Sequence, residues 1–329
     1  RERGGAHIKV FGGGGGVIVP VEIAELHAYG VTRIYTPEDG ARMGLQGMID
    51  DMLAACDFNP AALAPVNLEQ VAGGNRRALA SLITALDNAT LDKKMRQQLA
   101  ERARAVTGVP ALGITGTGGS GKSSLSDELV RRFRLDQRER LKIALIAVDP
   151  SRRKSGGALL GDRIRMNAIG SPGIYMRSLA TRAADSEIAA CVPEVIAACR
   201  VAGFDLVIIE TSGIGQGDAA IVPLADVSLY VMTPEYGAAS QLEKIDMLDF
   251  ADLVAINKFD RKGGRDALRD VRKQMQRNRG AFSKSADEMP GFGTIAARFN
   301  DDGVSALYQA LKLKLAERGL KLDAGALTP

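Results

Sequence analysis

The chain has no tryptophan, two histidines and three cysteines among its 329 residues. Cys56, Cys191 and Cys199 are scattered, with no CxxC pair and no histidine near them. That spacing argues against a zinc site or a disulfide framework and fits buried apolar thiols in a reducing cytosol. No apolar run approaches the about 20 residues of a membrane span, and no signal-peptide pattern is present. Charge of one sign is also lacking. Lys and Arg number 43 against 39 Asp and Glu, a formal net charge of +4, whereas a nucleic-acid partner calls for a strongly basic face. The expectation is a cytoplasmic chain with neither a membrane nor nucleic acid as partner.

What is present is an ordinary globular composition, 46% hydrophobic and 25% charged, over a length that suggests two domains, or one with an appendage. The chain opens at Arg1 and enters a strand-like run, Ile8 to Phe11, almost at once, which leads us to expect a piece of a longer polypeptide. Residues 1–58 continue with five glycines, Gly12–Gly16, then a helix Val21–Tyr29, a strand Val31–Tyr35, a turn Thr36–Gly40 and a helix Gly44–Cys56. This order reads as the last part of a parallel α/β sheet. Residues 59–110 show no strand signal. Leu68, Val71, Leu79, Leu82, Ile83 and Leu86 fit one helical face, and Leu91, Met95, Leu99 and Val106 another, so a helical linker is expected. From 111 to about 321 strands alternate with helices. The strand candidates are Ala111–Thr115, Lys142–Val148, Asp205–Glu210, Val227–Met232, Asp252–Asn257 and a weaker one near Thr294. Near-continuous apolar runs such as Leu206–Ile209 suit strands covered on both faces. The fold class is therefore α/β, a doubly wound, mostly parallel sheet whose ligands sit at the carboxyl ends of the strands. Residues 322–329, with small residues, one Gly and one Pro, read as the start of a linker.

Gly116-Thr117-Gly118-Gly119-Ser120-Gly121-Lys122-Ser123 matches the phosphate-loop pattern GxxxxGK[ST] between an apolar strand and a helical pattern, Ser124–Phe133. Glycines let successive backbone N–H groups approach phosphate oxygens, and the helix N-terminus adds partial positive charge. Gly118, Gly119, Ser120, Gly121, Lys122, Ser123 and Ser124 are the candidates for holding a nucleotide's phosphates. Lys122 would reach the β- and γ-phosphates, and the Ser123 hydroxyl is a hard oxygen ligand for Mg²⁺.

Asn257-Lys258-Phe259-Asp260 ends a strand and matches NKxD. The Asp260 carboxylate can accept from N1–H and the N2 amine of guanine, and adenine would leave it unpaired. Asn257 would brace the loop or meet the purine edge, and the Lys258 stem would cover the base. Glu210-Thr211-Ser212-Gly213 closes another apolar strand in the place of a DxxG signature, with Glu for Asp. A carboxylate there can hold Mg²⁺ directly or through water. Asp149, after the strand Lys142–Val148, and Asp162 are further candidates for the metal shell. Arg163 and Arg165 are candidates for an internal arginine finger. Gln216 and Gln241 are weaker candidates for orienting water.

In this order the motifs AVDPSR, GDRIRM, IIETSGIGQ and NKFD resemble the MeaB/ArgK-type G proteins, chaperones of adenosylcobalamin-dependent acyl-CoA mutases. The resemblance implies GTP/GDP and Mg²⁺ as ligands. It implies Ser123, Asp149, Asp162 and Glu210 around the metal, Thr211 beside it, and Arg165 on the nucleotide. Val10–Gly14, Val19-Pro20 and Val31–Gly40 look like the last third of a B12-binding domain. That arrangement is the layout of fused mutases, in which the G domain lies between a cobalamin domain and an acyl-CoA-binding barrel. The implied partners are that barrel and the rest of the cobalamin domain, in one chain that forms a homodimer. Gly12, Gly13 and Gly14 would lie near the nucleotide tail of adenosylcobalamin. The DxHxxG segment that supplies an axial histidine is absent, and His7 and His27 read as structural or surface residues. Residues 233–246 correspond to a third switch, but lack the acid expected near Ala238.

Three rivals share the phosphate loop. A metal-delivery GTPase should carry clustered His or Cys, which this chain lacks. A small-molecule kinase leaves NKFD unexplained. A module that binds GTP without turnover is separable by a phosphate-release assay.

Overall fold

The computed structural model describes residues 5–13, 16–58, 66–149, 164–181, 188–213, 218–237, 242–243 and 245–326. Residues 1–65 and 66–329 form two separate compact units.

In the first unit, β1 (Phe11–Gly13) pairs in parallel with β2 (Arg33–Tyr35), Phe11 opposite Arg33 and Gly13 opposite Tyr35. Strand β1 begins where the run Ile8–Phe11 was expected to end. Helix α1 (Pro20–Tyr29) starts on a proline and stops at Gly30, whose φ of 115° lies in the left-handed region that ends helices. The segment Thr36–Gly40, expected as a turn, is instead the cap and first turn of α2 (Pro37–Cys56). Thr36 Oγ1 accepts from Asp39 N at 3.2 Å, and the Asp39 carboxylate accepts from Thr36 N at 3.2 Å. A capping box and a turn draw on the same residues, and here the helix wins. Helix α2 kinks at Gly44, φ 63°. Arg33 pairs with Asp39 and Asp51, and Tyr35 donates to Asp51 at 2.6 Å.

The second unit opens with α3 (Leu68–Ala72), α4 (Arg76–Asp87) and α5 (Lys93–Ala105), capped by Asn67, Asn75 and Asp92. Its centre is a parallel sheet of β3 (Ala111–Gly116), β4 (Ile143–Asp149), β5 (Ile174–Ala180), β6 (Leu206–Glu210), β7 (Val227–Met232), β8 (Leu253–Asn257) and β9 (Gly291–Thr294). The strand order is β5-β4-β6-β3-β7-β8-β9. Every residue of β3, β4, β6, β7 and β8 is buried, as strands covered on both faces require.

Period-two alternation divides the core. Leu112, Ile114, Ile143 and Leu145 point to the face covered by α6 (Lys122–Asp136) and α10 (Asp302–Glu317), with Leu125, Leu129, Phe133, Leu307 and Leu311. Phe133 and Tyr308 meet edge to face at 4.9 Å. Ala144, Ile146, Val207 and Ile209 point to the other face, covered by α4, α5 and α7 (Val192–Val201). Arg96 of α5 donates from Nη1 to both carboxylate oxygens of Glu194 of α7, at 2.8 and 2.7 Å. The short α8 (Met247–Phe250) and α9 (Gly264–Asn278) cover β7 and β8 through Leu248, Val271 and Met275.

The chain leaves β3 toward β4 on one side and later crosses back to β7 on the other. The crevice outside the carboxyl ends of β3, β4 and β6 is thus the topological switch point, where ligands of open α/β sheets bind.

Candidate functional site

Backbone geometry at the end of β3 admits only glycine. Gly116 has φ 144°, and a Cβ there would lie 1.8 Å from Val231 O. Past Gly119 (φ 71°) and Gly121 (φ 88°) the chain enters α6 at Lys122. The helix N-terminus therefore faces the loop, an anion-binding arrangement. Lys122, buried, donates from Nζ to Gly116 O at 2.9 Å and Thr117 O at 3.1 Å. Thr117 Oγ1 and Ser120 Oγ are shut away from solvent with no hydrogen-bond partner among the described residues. Gly213, φ 66°, passes so close that a Cβ would lie 2.1 Å from Lys122 Nζ.

Beside this loop opens a cleft of about 360 Å³. Among the described residues its walls include Gly119, Gly121, Lys122, Ser123 and Ser124 from one side, Asp149 and Arg165 from another, and Glu210, Thr211 and Ser212 from a third. Three loops far apart in sequence thus converge on one space. Asp149 and Glu210 are both buried. Glu210 Oε1 accepts from Ser123 Oγ at 2.6 Å, and Oε2 accepts from Ser126 Oγ at 2.7 Å. Thr211 lines the cleft, but its hydroxyl is bonded to Thr115 Oγ1 at 2.8 Å. Arg165 is exposed on the cleft wall. The segment after it is tied to α6, where the Asp127 carboxylate accepts from Asn167 N at 3.0 Å and Ala168 N at 2.8 Å. Ser123, Asp149 and Glu210 together offer hard oxygen donors of the kind Mg²⁺ takes, so the residues present fit that ion.

The NKFD loop docks on the phosphate loop. Asn257, buried, donates from Nδ2 to Ser120 O at 2.8 Å. Its Oδ1 accepts from Thr294 Oγ1 at 3.2 Å and Ala296 N at 3.0 Å. One amide thus fastens the phosphate loop, β8 and the loop after β9. Lys258, at φ 55°, donates from Nζ to Gly119 O at 2.7 Å. Asp260 stands exposed on the same loop. Gly118 lies against Gly213 O, 3.3 Å from where its Cβ would be.

Asp162, Arg163, Gln216, Gln241 and Gly14 lie outside the described residues. Gly12 and Gly13 lie in β1. Sequence reading passed over Ser126, Asp127, Thr294 and Ala296. A serine or aspartate inside a helical pattern reads as solvent-facing, and a backbone N–H carries no side-chain signal.

A phosphate loop, a strand-end carboxylate and an NKxD loop around one switch-point crevice define a P-loop G protein. Residues 79–314 match the family described as methylmalonyl-CoA mutase-associated GTPase MeaB, and the chain belongs to that family. Over 327 residues it is 68% identical to the fused isobutyryl-CoA mutase of Cupriavidus metallidurans, covering 99% of this chain and 30% of that protein. The fused isobutyryl-CoA mutase of Nocardia farcinica is 59% identical over the same shares. The chain thus spans about 30% of the length of these relatives. A Pyrococcus horikoshii protein inferred to be a GTPase is 33% identical over 247 residues, 74% of this chain and 75% of that one. Among solved structures, the LAO/AO transport system kinase shares the fold, with a TM-score of 0.52 and 23% identity over 80% of this chain and 78% of its own.

Proposed function

We propose that the cleft binds GTP with Mg²⁺ and hydrolyses it, and that this GTPase gates loading and protection of adenosylcobalamin in a fused acyl-CoA mutase. The observation that carries the reading is the docking of NKFD onto the phosphate loop, Asn257 on Ser120 O and Lys258 on Gly119 O. A base-reading loop held against a phosphate-binding loop is what a nucleotide selected by its base requires.

In the proposed reaction a water oxygen bonds in line to the γ-phosphorus. The bond from that phosphorus to the β–γ bridging oxygen breaks, GDP leaves, and of the water's two protons one stays on inorganic phosphate and the other passes to solvent. Positioning and charge supply most of the catalysis. The phosphate-loop N–H groups and Lys122 hold the β- and γ-phosphates, and Arg165, with Arg163, offsets charge developing on the transferred group. Ser123, Asp149 and Glu210 would hold Mg²⁺, with Asp162 and Thr211 beside them, and the ion supplies charge neutralisation across the phosphate oxygens. Asp260 reads the guanine edge.

The likeness to fused isobutyryl-CoA mutases supports the wider role: the full-length protein would isomerise isobutyryl-CoA and n-butyryl-CoA, with the mutase barrel and the rest of the cobalamin domain in the same chain. Space beside Gly13 is open to a cofactor tail: among the described residues, the nearest atom to a Cβ there is Tyr35 O, at 3.8 Å.

The test is phosphate release from GTP and from ATP with Mg²⁺ present. Release from GTP, with ATP a much poorer substrate, is expected. Binding of GTP without any release would reduce the site to a coupling module, and preference for ATP would end the reading.

A further inference from the structure

Helix α6 presents Ser123 and Ser126 three positions apart, on one face and one turn apart. The Glu210 carboxylate lies across both, Oε1 on the Ser123 hydroxyl and Oε2 on that of Ser126, at 2.6 and 2.7 Å. Ser126 is 0% exposed and Glu210 5%. A serine inside a helix ordinarily turns its hydroxyl to solvent or to the carbonyl four residues back. This one donates across to a strand end instead. It takes no part in the wall of the cleft formed by the described residues.

We propose that Ser126 is a positioning residue for the metal-facing carboxylate of this site. The inference rests on reading the cleft as a Mg²⁺–GTP site. By holding Oε2, Ser126 fixes the carboxylate plane and leaves Oε1 toward Ser123 and the cleft. Ser123 can donate its proton to Oε1 and still present an oxygen lone pair to the ion. The same geometry accounts for glutamate where common G proteins carry aspartate. The extra methylene carries the carboxylate across to α6, where two serines receive it, and an aspartate on the same backbone would fall short of Ser126. Glu210 and Ser126 are thus a matched pair. Removing the Ser126 hydroxyl takes one hydrogen bond from the buried carboxylate and loosens its orientation.

Ser126→Ala, Glu210→Asp and the double variant test this by titration of GTP into the full 329-residue chain, with Mg²⁺ and with chelator. Ser126→Ala should weaken Mg²⁺–GTP binding about tenfold, the scale of one hydrogen bond to a charged group, and leave metal-free GTP binding within about twofold. In the Glu210→Asp background, Ser126→Ala should add nothing further, because the pair is already parted. Equal loss with and without metal would make Ser126 merely structural and overturn the proposal. So would full Mg²⁺–GTP affinity in Ser126→Ala, or additive losses in the double variant. A wild type whose GTP binding ignores Mg²⁺ would instead defeat the nucleotide-site reading beneath it.

Discussion

At the proposed phosphate end of the cleft, Lys122, Asp149, Glu210 and Thr211 are each less than a tenth exposed. At the proposed base end Asp260 is exposed and Lys258 half-buried, and Asn257 alone is buried. The two ends solve different problems. Phosphates and their metal carry charge that water would otherwise solvate, so the groups that meet them are fixed in place before binding and shielded from solvent. A base is read by a few directional hydrogen bonds, and an exposed acceptor suffices if its loop is held still. The holding falls to Asn257, which joins the phosphate loop to β8 and to the loop after β9.

Breaking the phosphate end should have the largest effect. Lys122→Ala should abolish phosphate release and lower GTP affinity on the order of a hundredfold, through loss of a buried charge on the β- and γ-phosphates. Unchanged turnover would contradict the role of the phosphate end.

Changing the base end should switch preference and leave the fold alone. Asp260→Asn should lose GTP affinity on the order of a hundredfold, since a charged acceptor pair is replaced by a mismatched donor. It should gain XTP, whose C2 carbonyl can accept from the amide. Because Asp260 is exposed, stability in urea should stay within about 0.5 kcal/mol of wild type. A variant that keeps its GTP preference would move guanine recognition to other groups.

The brace should register in both readouts. Asn257→Ala would strand Ser120 O, Ala296 N and the Thr294 hydroxyl, at a cost of about 2–3 kcal/mol in urea denaturation, and should weaken GTP binding as well. Loss of binding with full stability would show that Asn257 meets the base directly and does not act as a brace.

The smallest effect is expected at the Glu235–Arg261 pair, 2.7 Å apart and each about half exposed, which links the loop after β7 to the NKFD loop. The Thr233 hydroxyl and the Arg261 guanidinium hold the Glu235 carboxyl down to about 2, from an ordinary value of 4.5. A depressed carboxyl stabilises the fold fully above its unfolded pKa, and the contribution is lost as pH falls from 4.5 toward 2. Solvent screening keeps it below about 1 kcal/mol. Comparing Glu235→Gln with wild type across that range should show the difference shrinking as pH falls.

Much of this was legible because strand ends and glycines leave strong signals. The apolar runs of β3, β4, β6, β7 and β8 and the three motifs at their ends are written nearly without interruption. Strand β5 was missed: Ile174–Ala180 is an edge strand, and Arg177 and Ser178 break its apolar run. Thr36–Gly40 carries residues shared by turns and helix caps, and only the bonds between Thr36 and Asp39 decide between them. That Asn257 holds the phosphate loop could be read only from the position of Ser120 O, 137 residues away. Ser126 gave no signal, because its partner comes from β6 and not from its own helix.

The central claim is that this cleft selects a nucleotide by its base. Competition between labelled GTP and unlabelled GTP, ATP or XTP on the wild-type chain with Mg²⁺ tests it most directly. Unlabelled GTP should displace the label, whereas ATP and XTP should need concentrations higher by on the order of a hundredfold or more, because each leaves hydrogen-bonding groups unmatched against Asp260. Displacement by ATP at the same concentration as GTP would contradict the account.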